Sequence, residues 1–83
     1  MKLLYFAWLR EKVGMADEQV PLPAGVTTVA GLLDWLDGRG GGHAAALKDR
    51  SAVRVAVNQE YVGPDAAVAD GDEVALFPPV TGG

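Results

Sequence analysis

The chain ends Pro78-Pro79-Val80-Thr81-Gly82-Gly83, and the group with the widest chemical scope there is the carboxylate of Gly83. Glycine carries no side chain, so Gly82-Gly83 can enter a channel too narrow for any other residue and can take any backbone angle. Pro78-Pro79 stiffen the segment before it, which lowers at its base an ordering cost of about 1–2 kcal/mol per residue. Val80 to Gly83 can reach at most roughly 13–14 Å, enough to enter a partner's active site while the globular body stays outside. Frayed chain ends are also often glycine-rich, so the spacing alone leaves both readings open.

Other chemistry-bearing residues are few. With no cysteine the chain has no disulfide, no thiolate zinc site and no internal thiol nucleophile, persulfide or thioester. His43 is the single histidine; a metal site needs several ligands, so no metal site is expected and His43 is expected in solvent. Gly38-Arg39-Gly40-Gly41-Gly42 has the composition of a phosphate-cradling loop. Such loops follow a strand and open a helix, whereas this run closes one. Asp70-Gly71-Asp72 is turn chemistry, because no further calcium-loop ligands follow in register. No Ser-His-Asp arrangement is present, and the chain by itself is not expected to be a catalyst.

At 83 residues one domain is expected, with a core of marginal size. Net charge is −4, and after Arg54 come Glu60, Asp65, Asp70, Asp72 and Glu73 with no further Lys or Arg. An acidic half of this kind repels nucleic acid and favours encounter with a basic protein surface, although ordinary solubility also accounts for it. The apolar start from Met1 to Leu9 meets Arg10, Glu11 and Lys12 at once. It is too short for a membrane span and lacks a signal peptide's cleavage site, so a cytoplasmic protein is expected.

The elements that must position the carboxylate are legible from periodicity. Alternation predicts a strand over Lys2–Trp8, a helical turn over Arg10–Val13 stopped by Gly14, and a returning edge strand over Glu18–Leu22. Thr28 (or Thr27) can cap a helix whose Val29, Leu32, Leu33 and Leu36 fall at i, i+3, i+4 and i+7, with Gly38 as its stop. Arg39–Gly42 reads as a loop and Ala44–Lys48 as a second helical turn. Strands follow at Val53–Asn58 and Glu73–Phe77, the last ended by Pro78-Pro79. The fold class is therefore α+β, one main helix lying across one face of a sheet. Residues 1–79 form the domain and 80–83 a flexible tail.

Strand alternation also assigns faces. Lys2, Arg54 and Glu73 must point outward, which sends Leu4, Phe6, Trp8, Ala56, Asn58, Ala75 and Phe77 out with them. Leu3, Tyr5, Ala7, Val53, Val55, Val57, Val74 and Leu76 point inward to meet the helix stripe. The outward set is too apolar for water, and Leu4, Phe6, Ala56, Ala75 and Phe77 form one patch of the kind that marks a protein interface. A bulge would flip part of this assignment.

The block Asp70-Gly71-Asp72-Glu73-Val74-Ala75-Leu76-Phe77-Pro78-Pro79-Val80-Thr81-Gly82-Gly83 resembles the C-terminal signature of the small subunits of molybdopterin synthase. Phe6-Ala7 with Leu9-Arg10-Glu11 and Val13-Gly14 resembles that family's first strand and turn, and Val55-Ala56-Val57-Asn58-Gln59 its third strand. The central helix is matched only in pattern. The resemblance implies a ubiquitin-like β-grasp fold and a sulfur carrier that binds no cofactor of its own. An activating adenylyltransferase of the ubiquitin-activating type would use ATP and magnesium to adenylate the Gly83 carboxylate. A persulfide donor such as a cysteine desulfurase or a rhodanese would then convert the acyl-adenylate to a thiocarboxylate. The tail would next insert into the large subunit of the synthase and give its sulfur to cyclic pyranopterin monophosphate, two carriers serving each dithiolene. The assembly implied is a heterotetramer, two small subunits on a dimer of large ones.

Carried across residue by residue, Gly83 is the covalent site and Gly82 its spacer. Phe6, Arg10, Tyr61, Phe77, Pro78, Pro79, Val80 and Thr81 are the implied partner-binding residues. Tyr61 departs from the aliphatic residue common there, and Arg10 can equally be a plain solvated charge. No nucleic acid and no membrane are implied as partners. The rival readings are a carrier for thiamine or tRNA thiolation, a ubiquitin-like protein modifier joined through Gly83 to lysine, and a β-grasp interaction module whose tail is incidental. Phe77-Pro78-Pro79-Val80-Thr81 argues against the thiamine type.

Overall fold

A computed structural model describes residues 1–79. Its elements are β1 (Lys2–Tyr5), α1 (Ala7–Val13), β2 (Asp17–Gln19), α2 (Val29–Gly38), α3 (Gly41–Ala46), a 3-10 turn (Arg50–Ala52), β3 (Arg54–Val57), β4 (Glu60–Val62) and β5 (Glu73–Phe77). The strands form one sheet in the order β2-β1-β5-β3-β4. β1 and β5 are parallel at its centre and every other pair is antiparallel. The expected α+β class holds, and this strand order with its parallel central pair is the β-grasp arrangement of ubiquitin-like proteins.

The first strand is shorter than expected. Extended backbone persists through Phe6, but Ala7 takes a left-handed φ of 54° and the chain turns into α1. The Phe6 carbonyl accepts from the amides of Leu9 and Arg10. Leu9 and Val13, one helical turn apart, carry α1's apolar stripe: Leu9 is fully buried, and Trp8 and Val13 pack partly buried against the core. Trp8 is thus a core neighbour rather than an outward strand residue, and Ala7, expected inward, is exposed. An apolar run this continuous satisfies both the two-residue and the 3.6-residue period, so periodicity cannot place the boundary. Gly14 ends α1 in the left-handed region at φ 92°, its amide bonded to the Arg10 carbonyl.

α2 forms as the pattern predicts. Thr28 Oγ1 accepts from the Gly31 amide at 3.2 Å, and Val29, Leu32, Leu33 and Leu36 are buried. These meet Leu3, Tyr5, Val53, Val55, Val74 and Leu76 in one core. Val57, expected inward, is only partly buried. β2 stops at Gln19 rather than Leu22. Pro21 offers no amide to a ladder, and the Leu22 amide bonds instead to Asp70 Oδ1 at 2.8 Å.

Two further corrections concern the glycine run and the third strand. α3 begins at Gly41, within the expected loop, and ends at Ala46. A Cβ on Gly42 would run into the Lys12 carbonyl oxygen and lie 3.0 Å from Val13 Cα, so α1 and α3 meet backbone to backbone there. After β3 the chain reverses through Asn58 and Gln59, both left-handed at φ 51° and 71°, in a two-residue hairpin that creates the unexpected edge strand β4. Two consecutive positive φ values are what a type I′ turn requires. Asn58 tolerates that region, but Gln59 gives no glycine-like signal of it.

Candidate functional site: the outer sheet face and the base of the C-terminal segment

The register arranges the outer face in rows. Leu4 lies beside Ala75, Ala75 beside Ala56 and Ala56 beside Tyr61. At one end of this row Lys2 pairs with Glu73; at the other Phe77 pairs with Arg54. The Phe6 amide continues the central ladder by donating to the Leu76 carbonyl at 3.1 Å, so Phe6 belongs to the same end as Phe77. The aromatic residues therefore gather where β5 leaves the sheet towards Pro78 and Pro79.

Phe6 and Tyr61 are exposed, Tyr61 at 78 %. Tyr61 leans on Phe77, the ring centroids 5.3 Å apart and the planes at 39°. That tilted contact lies within the usual range for an aromatic pair, and the exposed Tyr61 ring is left able to meet a second surface. Phe77, Pro78 and Pro79 are half-buried. Ala56, expected on the open patch, is buried between its neighbours. Arg10 is exposed on α1, one turn after Phe6. The fold thus brings Phe6, Tyr61, Phe77, Pro78 and Pro79 to one end of one face and leaves Arg10 on the adjoining helix. Val80, Thr81, Gly82 and Gly83 lie outside the described residues.

Sequence reasoning missed a polar cluster on the opposite side of β1. Glu18 of β2 accepts through Oε2 from the Tyr5 hydroxyl at 2.6 Å and lies 2.6 Å from His43 Nε2, while Arg39 Nη1 donates to its Oε1 at 2.9 Å. His43, expected in solvent, has a side chain only 11 % exposed, because starting α3 at Gly41 swings it onto Glu18. Burial disfavours ionisation of Glu18, but the hydrogen bonds from Tyr5, His43 and Arg39 outweigh it and hold the carboxyl below its usual range. Burial first, and then the bond to Glu18, pushes the Tyr5 hydroxyl well above the usual phenol range. These groups tie β1, β2 and the α2–α3 corner together, and none lies on the aromatic face. Asp70 and Asp72 serve as turn residues: Asp72 Oδ2 accepts from the Ala69 amide at 2.8 Å and its Oδ1 from Asn58 Nδ2 at 3.0 Å.

Among the described residues, no group of three or more His, Cys, Asp or Glu side chains could hold a metal ion. No helix among them is long and apolar enough to cross a membrane. The face offers apolar contact area and aromatic edges beside the start of the C-terminal segment, which is the equipment of a docking surface rather than of a reaction centre.

Residues 3–83 match the ThiS family. This chain belongs to the ThiS family. Its relatives include the molybdopterin synthase sulfur carrier subunit of Escherichia coli, 43 % identical over 83 residues that cover the whole of this chain and 99 % of that protein. The protein of the same name from Haemophilus influenzae is 36 % identical over the same coverage. Those names describe carrier subunits of a synthase, not its catalytic part. Among solved structures, the ThiS-family fold seen here superposes on small archaeal modifier protein 1 from Haloferax volcanii with a TM-score of 0.74, 37 % identity and coverage of 100 % of this chain and 98 % of that one. A putative molybdopterin converting factor subunit 1 from Pyrococcus furiosus gives a TM-score of 0.76 at 35 % identity, with 95 % of each chain covered.

Proposed function

We propose that this protein is the sulfur carrier subunit of a molybdopterin synthase. The observation that carries the reading is the end-to-end match to relatives of that name, in a family match that runs through Gly83 itself. The aromatic end of the outer face, where Pro78 and Pro79 leave the sheet, supports it by giving a partner something to hold next to the working terminus.

The chemistry follows from the terminal group. A free carboxylate resists nucleophilic attack, so the Gly83 carboxylate must first be joined to AMP by an adenylyltransferase using ATP and magnesium, with pyrophosphate leaving. A persulfide donor then displaces AMP to give an acyl disulfide, and attack of a second thiol on the donor's sulfur releases the thiocarboxylate and leaves the donor as a disulfide. That sulfur attacks a carbon of the cyclic pterin precursor in the large subunit as an oxygen leaves that carbon. Water then cleaves the acyl–sulfur bond of the thioester so formed, leaving the sulfur on the pterin and Gly83 as its carboxylate. Phe6, Tyr61 and Phe77 hold the partner; Gly82 and Gly83 thread its channel, where any side chain would clash. The compartment proposed is the cytoplasm.

Intact mass tests the reading. Incubation with ATP, magnesium, a sulfur donor and the activating enzyme should add about 16 Da at Gly83, oxygen replaced by sulfur on the acyl route. No gain, with the enzyme proven on another carrier, overturns it. The likeness to small archaeal modifier protein 1 favours a second reading, a protein modifier. Its signature would be branched peptides joining Gly83 to a lysine of another protein, and none are expected.

A further inference from the structure

The chain has four arginines, Arg10, Arg39, Arg50 and Arg54, and they fall into two groups. Arg39 is paired with Glu18 at 2.9 Å, and Arg50 with Asp34 at 3.0 Å and Asp37 at 3.6 Å. Among the described residues Arg10 and Arg54 have no such partner, and of these two only Arg54 lies on the sheet itself, Arg10 standing on α1. Arg54 Nη1 donates to the backbone carbonyls of Ser51 and Val53 at 3.0 and 3.3 Å, which leaves Nη2 and Nε without an acceptor among those residues. None of Glu60, Asp65, Asp70, Asp72 and Glu73, the five acids that follow it in the sequence, pairs with it.

Its place in the fold gives this meaning. Arg54 stands beside Phe77 in the β3–β5 register. With Val55, Tyr61, Val62 and Phe77 it lines a hollow of about 230 Å³ at the aromatic end of the outer face. A surface that covers Phe6, Tyr61 and Phe77 must also cover, or closely rim, this guanidinium. At the rim of that contact the exposed guanidinium favours a covering surface that presents a carboxylate and disfavours one that presents a cation. The guanidinium is already held in place by the Ser51 and Val53 carbonyls, so little side-chain freedom is lost when the pair forms.

We infer that Arg54 is a partner-specificity residue: the large synthase subunit presents an Asp or Glu to it, beside the apolar surface that receives Phe77 and Tyr61. The inference rests on the proposed function for the identity of the partner. It also resolves the charge argument, because an acidic chain that docks through a local cation selects a surface of mixed charge rather than a uniformly basic one.

The test is the association rate of the full-length chain with its cognate large subunit at about 50 mM and 500 mM salt. A rim charge acts chiefly on association, and salt screens it. Arg54→Glu should slow association about 10-fold at low salt and approach the wild-type rate at high salt, whereas Arg54→Lys should stay within about twofold of wild type. Unchanged circular dichroism shows that the variants fold. A purely structural role would slow Arg54→Glu equally at both salt concentrations, and that result overturns the inference. If wild type is charged with sulfur and binds, but Arg54→Glu associates equally fast, the inference alone falls. If wild type is neither charged nor bound, the proposed function falls and takes this inference with it.

Discussion

At the residue scale the least expected arrangement is the three-donor clamp on Glu18. One carboxylate on the edge strand β2 is held by groups from β1, the end of α2 and α3. Its pKa is lowered in the fold, so the sign of the pH dependence is fixed. The clamp's stabilisation is fully present above the unfolded carboxyl's pKa of about 4.3 and is lost as pH falls through the lower folded value. Glu18→Gln should cost about 2 kcal/mol near neutral pH, the scale of hydrogen bonds to a charged acceptor. It should also flatten stability against pH across the acid range, as read from urea unfolding at pH 7 and in steps below pH 5. An unchanged acid limb in Glu18→Gln would assign that limb to other carboxylates. The sequence concealed this cluster because Tyr5, Arg39 and His43 lie 13, 21 and 25 positions from Glu18 and belong to no motif. Only the register Leu3 with Glu18 and the early start of α3 bring them together. The terminal glycines could suggest a chemistry from the sequence alone for the opposite reason: the chemistry proposed for them needs no tertiary neighbour.

At the scale of elements, α2 was legible because a cap, a stripe and a stop occur in order within eleven residues, Thr28 to Gly38. Two of the boundaries that were misread sit where one composition serves two geometries. The apolar stretch through Trp8 and Leu9 could continue a strand or begin α1, and a left-handed Ala7 decides it. The glycine run could be a loop or the start of α3, and the need for α1 and α3 to touch at Gly42 decides that. The two glycines near this corner therefore predict opposite outcomes. Gly42→Ala forces a methyl into the Lys12 backbone, which cannot yield as a side-chain tip would. It should cost about 2 kcal/mol, or about 10 °C in Tm. Gly38→Ala meets nothing within 4 Å and removes unfolded-state freedom at the end of α2, so it should raise stability by about 0.5 kcal/mol. Urea midpoints at constant m-value check both. Equal effects of the two substitutions would remove close backbone packing as the reason for Gly42.

At the scale of the whole molecule, the fold separates what holds it together from what it offers to others. The core lies between α2 and one sheet face, the polar clamp fastens one edge, and the aromatic residues gather at the end where β5 departs. Alternation along β1, β3 and β5 revealed most of that outer face in the sequence. β4 was hidden because its hairpin turns on Asn58-Gln59 rather than an Asn-Gly pair, and with it the contact of Tyr61 with Phe77. The carrier reading can therefore be tested apart from the fold by altering the terminus. Appending one alanine after Gly83 moves the free carboxylate onto a residue with a Cβ and one residue further along. The urea midpoint should be unchanged, because the last described core residue, Leu76, lies seven positions before Gly83. Sulfur charging, read as the mass gain at the terminus, should fall at least 100-fold, since acyl transfer tolerates little displacement of the reacting group. On the proposed reading, in which Phe6, Tyr61 and Phe77 supply the contact area, binding to the large subunit should persist within about 10-fold. An appended chain that is charged as well as the native one would return the protein to the class of interaction modules, in which the face is the function and the glycines are incidental.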